Sequence, residues 1–177
     1  MPSSHVQQIP AIIDYVCAVS PRTVLDVGVG FGKYGVLVRE YMEIWHFRYA
    51  PAEWMLRIDG IEAYPDYIND LHRFIYNNVY VGEALAVMKD MEDQAYDLIL
   101  AIDILEHFDK EQGVRFIGEC RRVGRNSLIS TPRHFREQPA VFGNEYEIHK
   151  TSWSSLEMEA LGAKRFIDDS FSLIAVF

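Results

Sequence analysis

Cysteine is nearly absent from this chain of 177 residues, which has only Cys17 and Cys120. Two thiols so far apart make no disulfide framework and lack metal-finger spacing, so a reducing, cytoplasmic setting is expected. Positive charge is scarce too. Seventeen Lys and Arg face 26 Asp and Glu, for a formal net charge of −9. With no dense basic run either, the chain argues against a nucleic-acid grip built on phosphate neutralisation, and a small or neutral substrate is expected. Nothing approaches the roughly 18 apolar residues of a membrane span, and the opening MPSSHVQQ does not read as a secretory leader, so no membrane partner is expected. Repeats and low-complexity tracts are missing, and eleven glycines with seven prolines are too few for a fibrous or disordered chain. What is present is an ordinary globular composition, 49% hydrophobic, sized for a single domain over 1–177, with the oligomeric state left open.

Apolar runs of strand length alternate with stretches of helical periodicity, the pattern of an α/β protein whose parallel sheet is covered on both faces. The strand-like runs are 23–29, 56–63, 79–82, 96–103, 127–131, 165–167 and 172–177. Helices are expected over 33–44, 66–76, 84–89, 110–122 and 155–161, with an amphipathic helix near 6–19 inside an N-terminal segment 1–20. Only Asp168, Asp169, Ser170 and Phe171 separate the last two strands, too few for a helical crossover, so these strands must pair antiparallel. Two connections are long. Residues 45–55 precede strand two, and 133–151 follow strand five. In open α/β sheets ligands lie beyond the carboxyl ends of strands, which makes 133–151 the candidate substrate lid.

Strand one runs directly into Gly28-Val29-Gly30-Phe31-Gly32, where missing side chains let the backbone turn sharply and a ligand approach closely. Strand two ends at Glu62, whose carboxylate can accept hydrogen bonds from both hydroxyls of a ribose. Two cofactor classes share this architecture. Gly30, Gly32 and Gly35 formally match the dinucleotide spacing G-x-G-x-x-G, but Gly28 already closes strand one and the antiparallel end of the sheet is foreign to dinucleotide folds.

From Thr23 to Phe177 the chain resembles the class I S-adenosylmethionine-dependent methyltransferases of small-molecule type. The resemblance rests on Val24 to Gly32, on Glu62, and on Tyr96-Asp97-Leu98-Ile99-Leu100-Ala101-Ile102-Asp103-Ile104-Leu105-Glu106-His107-Phe108. It implies a Rossmann-like, doubly wound, seven-stranded sheet of order 3-2-1-4-5-7-6 with strand seven antiparallel, and S-adenosyl-L-methionine as cofactor. It further implies that Asp26, Gly28, Gly30 and Gly32 surround the methionine portion, that Glu62 holds the ribose, that Glu83 stands at the adenine position where the family usually has Asp, and that Asp103 lies near the transferring methyl. No Pro-Pro-aromatic tetrapeptide follows strand four, so base amino methylation is disfavoured, and neither cysteine is placed for cytosine C5 chemistry.

The expected reaction is methyl transfer to a small-molecule acceptor, with oxygen the leading choice. Asp109 and Gln112 read as a capping box, which makes 103–108 the loop where donor and acceptor meet. His107 and His149 are the candidate bases or orienting groups, with Asp103 beside them. The lid adds Arg133, His134, Phe135, Arg136 and Tyr146, with Trp153 just beyond it, and Tyr34 stands past the glycine turn. One alternative is a cofactor-binding module without turnover. Another is a metal-dependent O-methyltransferase, because Asp103-x-x-Glu106-His107 with a later His149 resembles the divalent-ion cluster of small-RNA 3′-terminal and ubiquinone-pathway O-methyltransferases. Since the first acid is Asp where those families have Glu, no metal and chelation-resistant activity are expected.

Overall fold

The computed structural model describes residues 4–177; the first three residues of the expected N-terminal segment lie outside the described residues. Strands β1 (Thr23–Val27), β2 (Arg57–Glu62), β3 (Asn78–Val81), β4 (Tyr96–Ile102), β5 (Gly124–Pro132), β6 (Arg165–Ile167) and β7 (Ser172–Val176) form one sheet of order β3-β2-β1-β4-β5-β7-β6. The first five run parallel, whereas β7 is antiparallel to both β5 and β6. The doubly wound expectation holds, including the reversed strand.

Among the described residues six α-helices cover the sheet: α1 (Gln8–Val19), α2 (Lys33–Met42), α3 (Asp70–Ile75), α4 (Ala84–Met88), α5 (Lys110–Val123) and α6 (Ser155–Ala160). The period-two alternation of β4 sorts the core into two layers. Leu98 and Leu100 pack with Ile12 and Val16 of α1, Val38 of α2 and Ile75 of α3. Ile99 and Ala101 pack with Met88 of α4, Phe116 and Ile117 of α5, and Met158 of α6. The expected capping box forms, and a second opens α6. Gln112 N donates to Asp109 Oδ1 at 2.8 Å to open α5, and Glu157 N donates to Ser154 Oγ at 3.3 Å to open α6.

Boundaries differ where side chains override periodicity. The stretch 66–76 contributes only α3, because Asn69 caps the helix by accepting from Leu71 N and its predecessors form a separate 3-10 turn, Pro65–Tyr67. The 45–55 connection hangs on buried Glu43, whose carboxylate accepts from Met55 N and Leu56 N and pairs with Arg48. Trp54 there lies under the Arg39 guanidinium and meets Phe74 edge to face, while Trp45, Phe47 and Tyr49 remain exposed.

Candidate active site

Strand order reverses between β1 and β4, and the crevice opens beyond their carboxyl ends. There the glycine turn is bent by three left-handed glycines, Gly28 (φ 77°), Gly30 (φ 53°) and Gly32 (φ 83°), the last being the N-cap of α2. Its amides are spent inside the chain. Gly28 N donates to Ile61 O at 2.9 Å, Gly30 N to Glu62 Oε2 at 2.9 Å, and Gly32 N to Val29 O at 2.8 Å. His72 from α3 holds the turn from behind through Gly30 O at 2.9 Å. The turn therefore serves a ligand by lacking side chains. A Cβ on Gly28 would lie 3.0 Å from Ile104 and stand in a strained backbone region.

An elongated cleft of about 240 Å³ runs over this turn. Gly28, Gly30, Glu62, Glu83 and Asp103 line it; Asp26 and Gly32 do not. Asp26 is 3% exposed and accepts a 2.7 Å hydrogen bond from Tyr76 Oη, and burial pushes its carboxyl up to about 6. It packs behind the turn, because the side chain of a residue two before Gly28 points into the layer under α2 and α3. Glu62 stands at the cleft wall with Oε2 on Gly30 N and Oε1 on Tyr64 N (2.9 Å), so it braces the turn it was expected to complement. Tyr34 also lines the cleft, bonded to Ser4 Oγ at 2.9 Å.

The lid closes over this cleft. Tyr146 Oη donates to Glu83 Oε1 at 3.3 Å, and Tyr67 Oη donates to Glu147 Oε1 at 3.1 Å. Asn144, Tyr146, Glu147 and Lys150 thereby become lining residues. A second cavity of about 270 Å³ adjoins it, walled by His5, Glu106, His134, Arg136, His149, Phe171 and their neighbours. Asp103 and His107 line both spaces, so the two meet at the loop beyond β4.

That loop is held tightly. Asp103 adopts φ 52°, and its carboxylate accepts from Ser130 Oγ (2.8 Å) and from Gln8 Nε2 of α1 (2.6 Å). Burial raises its pKa against those bonds. Glu106, 3% exposed, accepts from Thr131 Oγ1 at 3.0 Å, and burial raises its pKa well above the usual range. Lys150 N and Thr151 N both donate to Glu106 O (2.8 and 3.2 Å), fastening the end of the lid beside the β4 loop.

That fastening brings His107 and His149 within 5.0 Å, ring centre to ring centre. Each Nδ1 faces a carbonyl, His107 at Ile148 O (3.1 Å) and His149 at Arg136 O (2.7 Å). Because a carbonyl only accepts, Nδ1 carries the proton and Nε2 of each ring keeps its lone pair. Burial pushes His107 down to about 4 and also lowers His149. Both rings are neutral near pH 7. Ligand-type atoms of Glu106, His107 and His149 lie within 4.8 Å of one another, a set that suits a divalent ion: one carboxylate and two imidazoles whose far nitrogens are already oriented by carbonyls. Asp103 is outside that set.

Trp153 is the clearest departure among the lid residues. It is 5% exposed, packs over Gly113 of α5 under Lys110, and belongs to the core. Ser4, Lys33 and Gln8 enter the site without having been singled out by sequence; Lys33 Nζ donates to Ser4 O at 2.9 Å. Gln8 sits 95 residues from its partner and carries no motif.

No family model matches the chain. Among curated proteins it is 25% identical over 157 residues to phosphoethanolamine N-methyltransferase 1 of Caenorhabditis elegans, covering 83% of this chain and 30% of that protein. It is 26% identical over 127 residues to a small RNA 2'-O-methyltransferase of Tetrahymena thermophila, covering 62% and 29%. The chain thus spans less than a third of the length of these relatives. Among solved structures, an S-adenosylmethionine-dependent methyltransferase from Archaeoglobus fulgidus superposes with TM-score 0.59 at 16% identity, covering 95% of this chain and 94% of that one. The fold is that of the class I S-adenosylmethionine-dependent methyltransferases. Among the described residues no helix is long and apolar enough to cross a membrane.

Proposed function

We propose that the chain transfers the methyl group of S-adenosyl-L-methionine to a hydroxyl of a small acceptor held in the second cavity. The observation that carries this reading is the junction: two cavities of comparable size meet at Asp103 and His107, one over the glycine turn and one beneath the lid histidines. The first suits the cofactor. Its floor is bare of side chains at Gly28 and Gly30, and its walls offer acids at Glu62 and Glu83. When bound there, the sulfonium cofactor supplies an activated methyl for in-line displacement.

The chain's own residues then have three tasks. Asp103, fixed by Ser130 and Gln8, shapes the passage between the cavities. Alignment of two reactants in such a passage is worth up to roughly 7 to 11 kcal/mol. His107 and His149 present unprotonated Nε2 atoms toward the acceptor side, where a hydroxyl proton must leave. His149, less buried than His107, is the better base. The lid, with Ser4 and His5 of the N-terminal segment, lines the two spaces and limits what can enter them.

A second reading rests on the Glu106, His107 and His149 cluster. A divalent ion held there would fix and acidify a hydroxyl acceptor, and it would compensate the buried Glu106 carboxylate. The curated relatives include one N- and one 2'-O-methyltransferase, so the acceptor atom is argued from the histidine pair and not from them. The test is a panel of hydroxyl, amine and thiol acceptors with labelled cofactor. His149→Asn is expected to lower kcat at least about tenfold while cofactor affinity stays within about twofold. Amine methylation unaffected by that substitution would overturn oxygen transfer. Loss of turnover in EDTA, restored by Mg²⁺ or Mn²⁺, would select the second reading, and cofactor binding with no turnover on any acceptor would leave a binding module.

A further inference from the structure

The second cavity has an uneven charge distribution. Its floor is acidic, Asp103 and Glu106, and both acids already have hydrogen-bond donors: Ser130 and Gln8 for the first, Thr131 for the second. Its mouth is built from donors, the exposed Arg136, His134 and His5 beside Ser170, while Ser172 is buried. Four of the six histidines of the chain line this one space. Arg133, next to it in sequence, spends its guanidinium on Asp169 O at 2.8 Å. Arg136 does not: its backbone carbonyl orients His149, but among the described residues its guanidinium has no hydrogen bond and no carboxylate within ion-pair reach. Arg136 thus joins a place on the cavity wall to a guanidinium that meets neither an acid nor a carbonyl of the described residues, a group left for a ligand.

On the strength of the methyl-transfer reading above, we infer that the acceptor carries an oxyanion, a phosphate or a carboxylate, which Arg136 holds at the mouth of the second cavity while the reacting hydroxyl lies at His107 and His149. A guanidinium presents paired donors that match two oxygens of such a group, and charge-assisted bonds of this kind are roughly twice as strong as neutral ones. The link to the chemistry is short. The same residue whose side chain meets the anion fixes the tautomer of His149 through its carbonyl, so anchoring and proton acceptance share one backbone segment. Net charge predicted a small or neutral substrate, but net charge describes the far field; the mouth of one cavity is set by the few groups that line it.

The full chain loaded with S-adenosylhomocysteine is titrated with inorganic phosphate and, separately, with acetate, following the histidine ring resonances by NMR. Saturable shifts at the His134, His107 and His149 rings are expected for at least one anion, and the preferred anion tells phosphate from carboxylate. Arg136→Gln should weaken that binding about tenfold, as expected from losing one charge-assisted contact. Arg125→Gln, at the far end of β5, should leave it within about twofold and controls for overall charge. Anion affinity equal in the wild-type chain and Arg136→Gln, or no saturable shift with either anion, would overturn the inference. So would an affinity for single-stranded RNA that climbs with length and ignores Arg136. Cofactor affinity is measured beside it by calorimetry: its absence sinks the methyl-transfer reading alone, since the anion titration can be repeated on the unloaded chain.

Discussion

The two cavities that meet at Asp103 are built in opposite ways. The cleft over the glycine turn is made mostly from strand ends and the residues that follow them: Gly28 and Gly30 after β1, Glu62 closing β2, Gly82 and Glu83 after β3. The second cavity draws instead on four separate stretches, namely the N-terminal segment at His5, the loop after β4, the segment from His134 to His149, and the turn before β7 at Phe171. One is a consequence of strand order; the other is an agreement among loops. The first should therefore fail through backbone changes and the second through side-chain changes.

The largest effect expected on the cleft side comes from Gly30→Val. Gly30 has φ 53°, which a β-branched residue adopts only as an outlier, and it lines the cleft. Cofactor affinity measured by calorimetry should fall by more than about a hundredfold, and retention of wild-type affinity would break the placement of the cofactor over the turn. Glu62→Ala should cost about tenfold to a hundredfold in the same measurement, through lost charge-assisted bonds and through release of Gly30 N and Tyr64 N. An unchanged value would mean that the ribose is held elsewhere. On the acceptor side Gln8→Leu is a smaller perturbation with a sharper diagnosis. It removes the 2.6 Å bond to Asp103 and should raise the acceptor KM about threefold to tenfold while leaving cofactor affinity within about twofold. Equal losses in both constants would erase the distinction between the two regions.

How much of this was legible beforehand follows the same division. Seven strands and the reversed β7 could be read because the alternation of apolar runs and the short 168–171 connection are local properties, whereas the strand order came only with the family resemblance. The Asp109/Gln112 capping box could be read too. Asp26 belongs to the same motif as the glycines yet packs behind them on Tyr76, since adjacent positions on a strand face opposite layers and only the packing says which layer the ligand shares. Trp153 was misread for a related reason: a large aromatic beside a loop histidine looks like a lid residue until Gly113 is seen to leave it a place in the core.

The local pattern of this sequence was enough to determine the strands, the glycine turn and the acids at the strand ends, because each depends on residues within a few positions of one another. Only the tertiary structure decided that Tyr146 and Glu147 close over the cleft, that Gln8 reaches Asp103 across 95 residues, and that two loops fastened at Glu106 O bring His107 to His149. Those contacts depend on where α1 and the lid pack against the carboxyl edge of the sheet, and no spacing along the chain encodes a distance that packing alone sets.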